Sequence, residues 1–421
     1  MSRGRLGGSH KGEMDRSLLY QVCPYNPPSW VAANIPSLAI PSHYVTLGRF
    51  PTPIAKFALP LLEEELVGGT SPWDSNNIYI KRDDLSSSDL SGNKVRKLEF
   101  LLPEALINGH DSVITIGGIQ SNHARATAIA SRQLGLEPHL ILRGRQNPED
   151  MIPDGNLLLG IFFVFIMCFS LINKIIMLLD RLVDSHIHTV TPATYATIGS
   201  ASLTSQLKTQ LEMEGKKPYV IPVGGSNPLG SFGYMEMINE LNQQAAALYS
   251  NHRLRAPFFD HIVFACGSGG TAAGIVIATK LSGCKSKIHA IGVCDSPEHF
   301  YSHIEQNIKD LNISNVGDVR EFCSIYDGKN LGYARVSDDE IEYLLKVSST
   351  TGIILDPVYS GKALYFFVKN VLRTINTTEE SVVFVHTGGG YANFASEYSE
   401  KINSELKNDF KIKKMIVHNN K

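Results

Sequence analysis

The chain has 421 residues, 43% of them hydrophobic and 19% charged, enough apolar material for a large core and for two or three domain-sized units. A formal net charge of -2 and a pI of about 6.7 carry no electrostatic footprint for nucleic acid, and no sustained basic run argues for an anionic membrane surface. The six cysteines (Cys23, Cys168, Cys266, Cys284, Cys294, Cys323) are scattered without a Cys-x-x-Cys pair, so neither a disulfide framework nor a cysteine zinc site is indicated, and a small molecule is the expected partner.

In chain order, residues 1–39 are expected to form a poorly ordered leader. Arg3, Arg5 and Lys11 lie there among Gly and Ser with no apolar core of the kind a secretory signal needs. The expected location is cytoplasmic, with a mitochondrial presequence as the alternative, weakened by Glu13 and Asp15. Short β-branched runs follow at 78–80, 112–116, 139–143, 261–265, 288–293 and 382–386, each ahead of a turn or helix-like segment. This βα alternation predicts an α/β fold of open, mostly parallel sheets with helices on both faces, ligands being collected beyond the strand carboxyl ends.

Between the first two runs, Ser91 or Asn93 is expected to cap a helix whose apolar positions Val95, Leu98, Leu101 and Leu102 share one face, until Pro103 kinks or restarts it. Lys94 then lies in the first turn, where unpaired amides disfavour a second positive charge and help hold an amine neutral and nucleophilic. A solvated surface lysine is the competing reading. After 112–116 comes Gly117-Gly118-Ile119-Gln120-Ser121-Asn122-His123, with Ser121 and Asn122 at a helix entrance, where free amides can hold a carboxylate or the pair can serve as a plain cap. His123 is a candidate base or a hydrogen-bonding residue.

Residues 155–173 contain no charge and are long enough to span a bilayer. The flanks read as an ordinary helix once the middle is removed, so the expectation is an insertion into a globular fold; a lone span between two halves would separate them across a membrane. Beyond 261–265, Gly267, Ser268, Gly269, Gly270 and Thr271 open an Ala-rich helix and can aim several backbone donors at a phosphate without Cβ interference. A tight strand-to-helix turn with no ligand is the alternative at that point.

Five strings in order carry a resemblance: Lys81-Arg82-Asp83-Asp84-Leu85, Ser91-Gly92-Asn93-Lys94-Val95-Arg96-Lys97-Leu98-Glu99, the Gly117 string above, Ile221-Pro222-Val223-Gly224-Gly225-Ser226-Asn227, and Leu355-Asp356-Pro357-Val358-Tyr359-Ser360-Gly361-Lys362. The chain resembles the D-cysteine desulfhydrase and 1-aminocyclopropane-1-carboxylate deaminase family over roughly 40–390, apart from the apolar insert. The resemblance implies pyridoxal 5'-phosphate as cofactor, the tryptophan-synthase-β fold and a homodimer. It implies that Lys94 bonds the cofactor's aldehyde and then serves as the base for the α-proton. It makes Asn122 the partner of the ring oxygen, Ser121 a catalytic and substrate-facing residue beside Asn122 and His123, and the Gly267 to Thr271 turn the phosphate loop, with Lys97 as a further phosphate contact. Tyr333 and Tyr359 line the substrate pocket as candidate proton relays, and Asn122, His123 and Ser360 are substrate contacts beside Ser121.

Two positions bear on the reaction. Ser360 and His386-Thr387-Gly388-Gly389 stand where the deaminase branch has an acid and His-Leu-Gly-Gly, which is the desulfhydrase pattern; Thr387 near the ring nitrogen leaves a weaker electron sink, adequate when the leaving group is thiolate. The implied activity is a carbon–sulfur lyase that converts D-cysteine to pyruvate, hydrogen sulfide and ammonia. The alternatives are the deaminase reaction or an inactive isoform disrupted by the insert. The expected organisation is a larger domain of 40–97 plus 206–400, a smaller domain of 98–205 carrying the insert at about 160–177, and a divergent tail at 401–421.

Overall fold

The computed structural model describes residues 20–60, 62, 77–87, 90, 92–144 and 185–406. In chain order these form β1 (Val22–Pro24), α1 (Ser29–Asn34), β2 (His43–Val45), β3 (Ile54–Lys56), β4 (Ile78–Lys81), α2 (Lys94–Ile107), β5 (Ser112–Gly118), α3 (Asn122–Gln133), β6 (Glu137–Arg143) and β7 (His186–Val190). They continue as α4 (Pro192–Ile198), α5 (Ser200–Met213), β8 (Pro218–Val220), α6 (Pro228–Ser250), β9 (His261–Cys266), α7 (Gly270–Leu281), β10 (Lys287–Gly292) and α8 (Pro297–Asp310). The last are β11 (Cys323–Asp327), α9 (Asp338–Thr351), α10 (Ser360–Asn370), β12 (Val382–Val385) and α11 (Ser396–Leu406).

A six-stranded sheet has the order β11-β10-β9-β12-β4-β3 and a four-stranded sheet the order β7-β6-β5-β8. Every neighbour is parallel except the edge pair β3 and β4. The period of two along β9 shows why the larger sheet needs helices on both faces: Ile262 and Phe264 pack with α6, α7 and α8, while Val263 and Ala265 pack with α9 and α10. In the smaller sheet Ile114, Ile116 and Ile141 meet Leu203, Leu207 and Leu211 of α5, and Leu140 and Leu142 meet Ala124 and Ala128 of α3. All six expected runs are strands, within two residues at each end.

Several expectations are corrected. Residues 20–39 are not a loose leader: β1 pairs with β2, and Val31 and Ile35 are buried in the larger core. The smaller sheet does not end at 205, because β8 adds to β5 as its fourth strand. The helix opened by Lys94 runs through Pro103 to Ile107 without restarting, and it is buried on nearly every side rather than along one stripe. The strands β3, β7 and β11 did not stand out by pattern: β3 is only three residues long, and polar residues interrupt any apolar run in β7 (HIHTV) and β11 (CSIYD). The insert at about 160–177 and most of the tail lie outside the described residues. Among the described residues no helix is long and apolar enough to cross a membrane.

Candidate active site

The site forms where the carboxyl ends of both sheets meet, as parallel strands require: β5 delivers its turn to α3, β9 its turn to α7, and β12 the loop His386 to Gly389. Lys94 is the first residue of α2. No hydrogen bond or ion pair ties its Nζ to the described residues, and desolvation lowers its pKa to about 8, opposed weakly by the Cys266 and Cys294 thiols. The expected cap is absent: Asn93 has helical dihedrals and instead donates from Nδ2 to Thr271 Oγ1 at 3.1 Å, while Ser91 lies outside the described residues. The lysine turn is thus tied to the glycine turn at the start of α7.

Gly92 and the Thr387 loop pack backbone to backbone. The Asn93 amide donates to the Thr387 carbonyl at 3.0 Å, and a Cβ on Gly92 (φ +91°) would stand 2.5 Å from that oxygen. This fixes Thr387 beside the lysine turn, with its hydroxyl making no hydrogen bond among the described residues.

The turn Gly267 to Thr271 is built for close approach. A Cβ on Gly269 (φ +86°) would strike the His303 ring at 2.4 Å, and one on Gly270 would meet Ser226 at 2.7 Å. Ser226 Oγ bonds Ser268 Oγ at 2.7 Å and accepts from the Gly270 amide at 3.2 Å. Lys97, 1% exposed, reaches the same corner and donates to the Gly224 carbonyl at 3.2 Å. Burial first, and the neighbouring Lys94 second, push its pKa well down. Ser226 and His303 were missed by sequence reading. Two glycines ahead of Ser226 are a visible turn signal, whereas His303 sits mid-helix in α8 with no local sign of its role.

At α3, Ser121 is the N-cap, accepting from the Ala124 amide at 3.1 Å. Asn122 is buried, and its Oδ1 has no hydrogen-bond partner. His123 is buried, bonded through Nε2 to Thr115 Oγ1 at 3.0 Å, and held neutral by burial and then by Lys94 and Lys97. The Thr115 contact anchors the ring to β5 close to the two lysines.

Tyr333 and Tyr359 come together with their hydroxyls 2.7 Å apart. The Tyr359 ring lies against Gly267, where a Cβ would meet it at 2.9 Å. Asp356 seats this corner. Its carboxylate accepts from the amides of Val358 (3.0 Å), Tyr359 (2.7 Å) and Ser360 (2.8 Å) and from the Ser360 hydroxyl. Ser360 is fully buried and also reaches the Gly388 carbonyl at 3.2 Å, so it braces the Thr387 loop, where the expectation was a substrate contact.

The family model for pyridoxal-phosphate dependent enzymes matches residues 45–388. The chain belongs to this family. It is 44% identical over 369 residues to the bifunctional D-cysteine desulfhydrase/1-aminocyclopropane-1-carboxylate deaminase, mitochondrial, of Arabidopsis thaliana, covering 87% of this chain and 82% of that one. It is 31% identical over 376 residues to the D-cysteine desulfhydrase of Salmonella choleraesuis, covering 85% and 98%. The solved structure of an ACC deaminase homologue superposes with a TM-score of 0.67 at 30% identity, covering 90% of this chain and 99% of that one.

The residues present fit the cofactor of this enzyme family. An unpaired amine of lowered pKa suits its aldehyde, a turn that excludes Cβ atoms suits its phosphate, and the partnerless Asn122 Oδ1 is a buried polar atom waiting for a donor. A separate cavity of about 430 Å³, lined in part by Tyr25, Phe50, Arg96, Glu99 and Glu236, opens on the other face of α2 and is no part of this pyridoxal-phosphate site.

Proposed function

We propose that this enzyme is a carbon–sulfur lyase acting on D-cysteine, with Lys94, the tyrosine pair and Thr387 as its working groups. D-cysteine and water become pyruvate, hydrogen sulfide and ammonia. The observation that supports the reading is the unpaired Lys94 amine of pKa about 8 beside the Thr387 loop, which is braced by Ser360, a hydroxyl at the position where the deaminase branch carries an acid. Bound pyridoxal phosphate supplies the electron sink for the pair left when the Cα–H bond breaks.

Lys94 holds the cofactor and, once released by the substrate amine, its neutral Nζ removes the α-proton. The free amides at the start of α3, with Ser121, orient the substrate carboxylate, and Asn122 would hold the ring oxygen of the bound cofactor. The Cβ–S bond then breaks with its electron pair on sulfur, and the departing hydrosulfide takes a proton from the Tyr333 and Tyr359 pair. A hydroxyl at Thr387 does not enforce ring protonation as a carboxylate would, and thiolate is a good enough leaving group to do without it.

The Arabidopsis relative's double name favours a second reading, deamination of 1-aminocyclopropane-1-carboxylate, at the same site. A substrate panel separates them. Sulfide and pyruvate from D-cysteine, lost in Lys94→Ala, support the lyase; consumption of the cyclopropane substrate with no sulfide from D-cysteine would reverse the assignment. The same reading includes a homodimer, checked by light scattering of the purified chain, and a cytoplasmic or mitochondrial location, checked by cell fractionation.

A further inference from the structure

A cluster of metal-ligating side chains lies at the far end of the smaller sheet from Lys94. Glu137 and His139 are two residues apart on β6 and therefore share a face, and the parallel register sets His139 against His186 and Ile141 against His188 on β7. Glu137 and His186 open their strands, so the group sits at the amino ends, whereas β5 delivers Ser121 and Asn122 from its carboxyl end.

Glu137 Oε1 lies 2.7 Å from His186 Nε2 and 3.1 Å from His139 Nε2, and one ligand atom from each of the three residues falls within 4.8 Å of the others. The His139 and His186 rings stack at 4.6 Å and 13°. His139 is 2% exposed, yet its Nε2 makes no hydrogen bond despite facing the carboxylate. Its Nδ1 is 3.4 Å from His188 Nε2. With a proton on Nδ1, the unprotonated Nε2 stands 3.1 Å from a carboxylate oxygen, and a cation shared by the two atoms would relieve the repulsion between them. The Lys216 ammonium pairs with Glu137 and supplies part of that charge from the side.

We infer that Glu137, His139 and His186 form a site for a divalent transition-metal ion, with His188 orienting His139 from behind. Two imidazoles and one carboxylate suit zinc, and a water on the exposed His186 side completes four ligands. Tetrahedral bonds of about 2.0–2.2 Å place ligand atoms roughly 3.3–3.5 Å apart, so the existing separations need only small side-chain shifts. The ion would pin β7 to β6, an edge strand whose outer side has no strand partner among the described residues.

The test uses untagged, cofactor-loaded full-length protein titrated with zinc alone. Calorimetry and elemental analysis are expected to give about one zinc per chain, with binding at least tenfold weaker in His139→Ala, Glu137→Gln and His186→Ala and unchanged in Lys94→Ala. Because His186 is half-exposed, its variant keeps the fold, which circular dichroism checks; zinc should raise the melting temperature of the native chain and not of that variant. No zinc retained at equimolar ratio, or equal binding by the native chain and His186→Ala, would overturn the site.

Discussion

At the residue scale, the proposed chemistry rests on the partly buried Lys94 amine. Burial places the Lys94 midpoint near 8, against 10.5 for an ordinary lysine. Competitive acetylation of cofactor-free protein across pH, read by peptide mass spectrometry, should show Lys94 reacting with a midpoint near 8, below that of the chain's other reactive lysines; a shared midpoint would remove the basis for a poised amine. The tyrosines differ in the same way. Both are raised, but the bond between them partly relieves Tyr333 and pushes Tyr359 further up, and Tyr333 is also the more exposed, so the proposed mechanism gives the proton exchange to Tyr333. Tyr333→Phe is expected to lower kcat for sulfide release by about 10²-fold or more with a small change in KM, in steady-state assays.

At the element scale, the site depends on how helix starts meet glycine turns. The Lys94 and Ser121 turns were legible because small polar residues before an apolar-periodic run mark a helix entrance, and Ser121 behaves as that rule says. Asn93 does not: its backbone is already helical, and its Nδ2 donates to Thr271 Oγ1, 178 residues away, instead of its Oδ1 accepting from the local amides. Ser360 shows the same limit: its neighbour Asp356 was visible in the sequence, but only the folded turn reveals that one carboxylate takes three amides and the Ser360 hydroxyl. Gly92→Ala tests the packing of the Lys94 turn on the Thr387 loop. A side chain there meets a carbonyl at 2.5 Å in a left-handed conformation, so urea unfolding should show a loss of about 1–3 kcal/mol or more, with weaker cofactor retention.

Across the whole molecule, a buried ionic network joins segments far apart in the chain. Arg96 on α2 binds Asp83 at 2.8 Å and Glu240 of α6 at 3.1 Å; Lys81 of β4 pairs with the same Glu240, and Tyr234 donates to Asp83 at 2.9 Å. Asp83→Ala would leave the buried Arg96 guanidinium with Glu240 as its one carboxylate partner and remove the acceptor of the Tyr234 hydroxyl, and should cost about 3 kcal/mol in denaturant unfolding. Nearby, burial raises the Glu99 carboxyl to about 7 from an ordinary 4.5, against the opposing amides of Gly48 and Leu47. The folded state therefore holds a proton that the unfolded chain releases between those values. This contribution is complete below pH 4.5 and declines as pH rises to about 7, by on the order of 3 kcal/mol at most. Glu99→Gln, which keeps the acceptor for both amides, should flatten that part of the stability–pH curve relative to the native chain. The amino-acid sequence by itself determined the α/β class, the strands between turns and the chemistry carried at Lys94, since periodicity and local turn residues act over a few positions. Only the tertiary structure decided which charges are buried and paired, that Ser360 bonds Asp356 and the Thr387 loop, and that the smaller sheet extends to β8. Those outcomes depend on groups dozens to hundreds of residues apart being brought within hydrogen-bond reach, which no local pattern encodes.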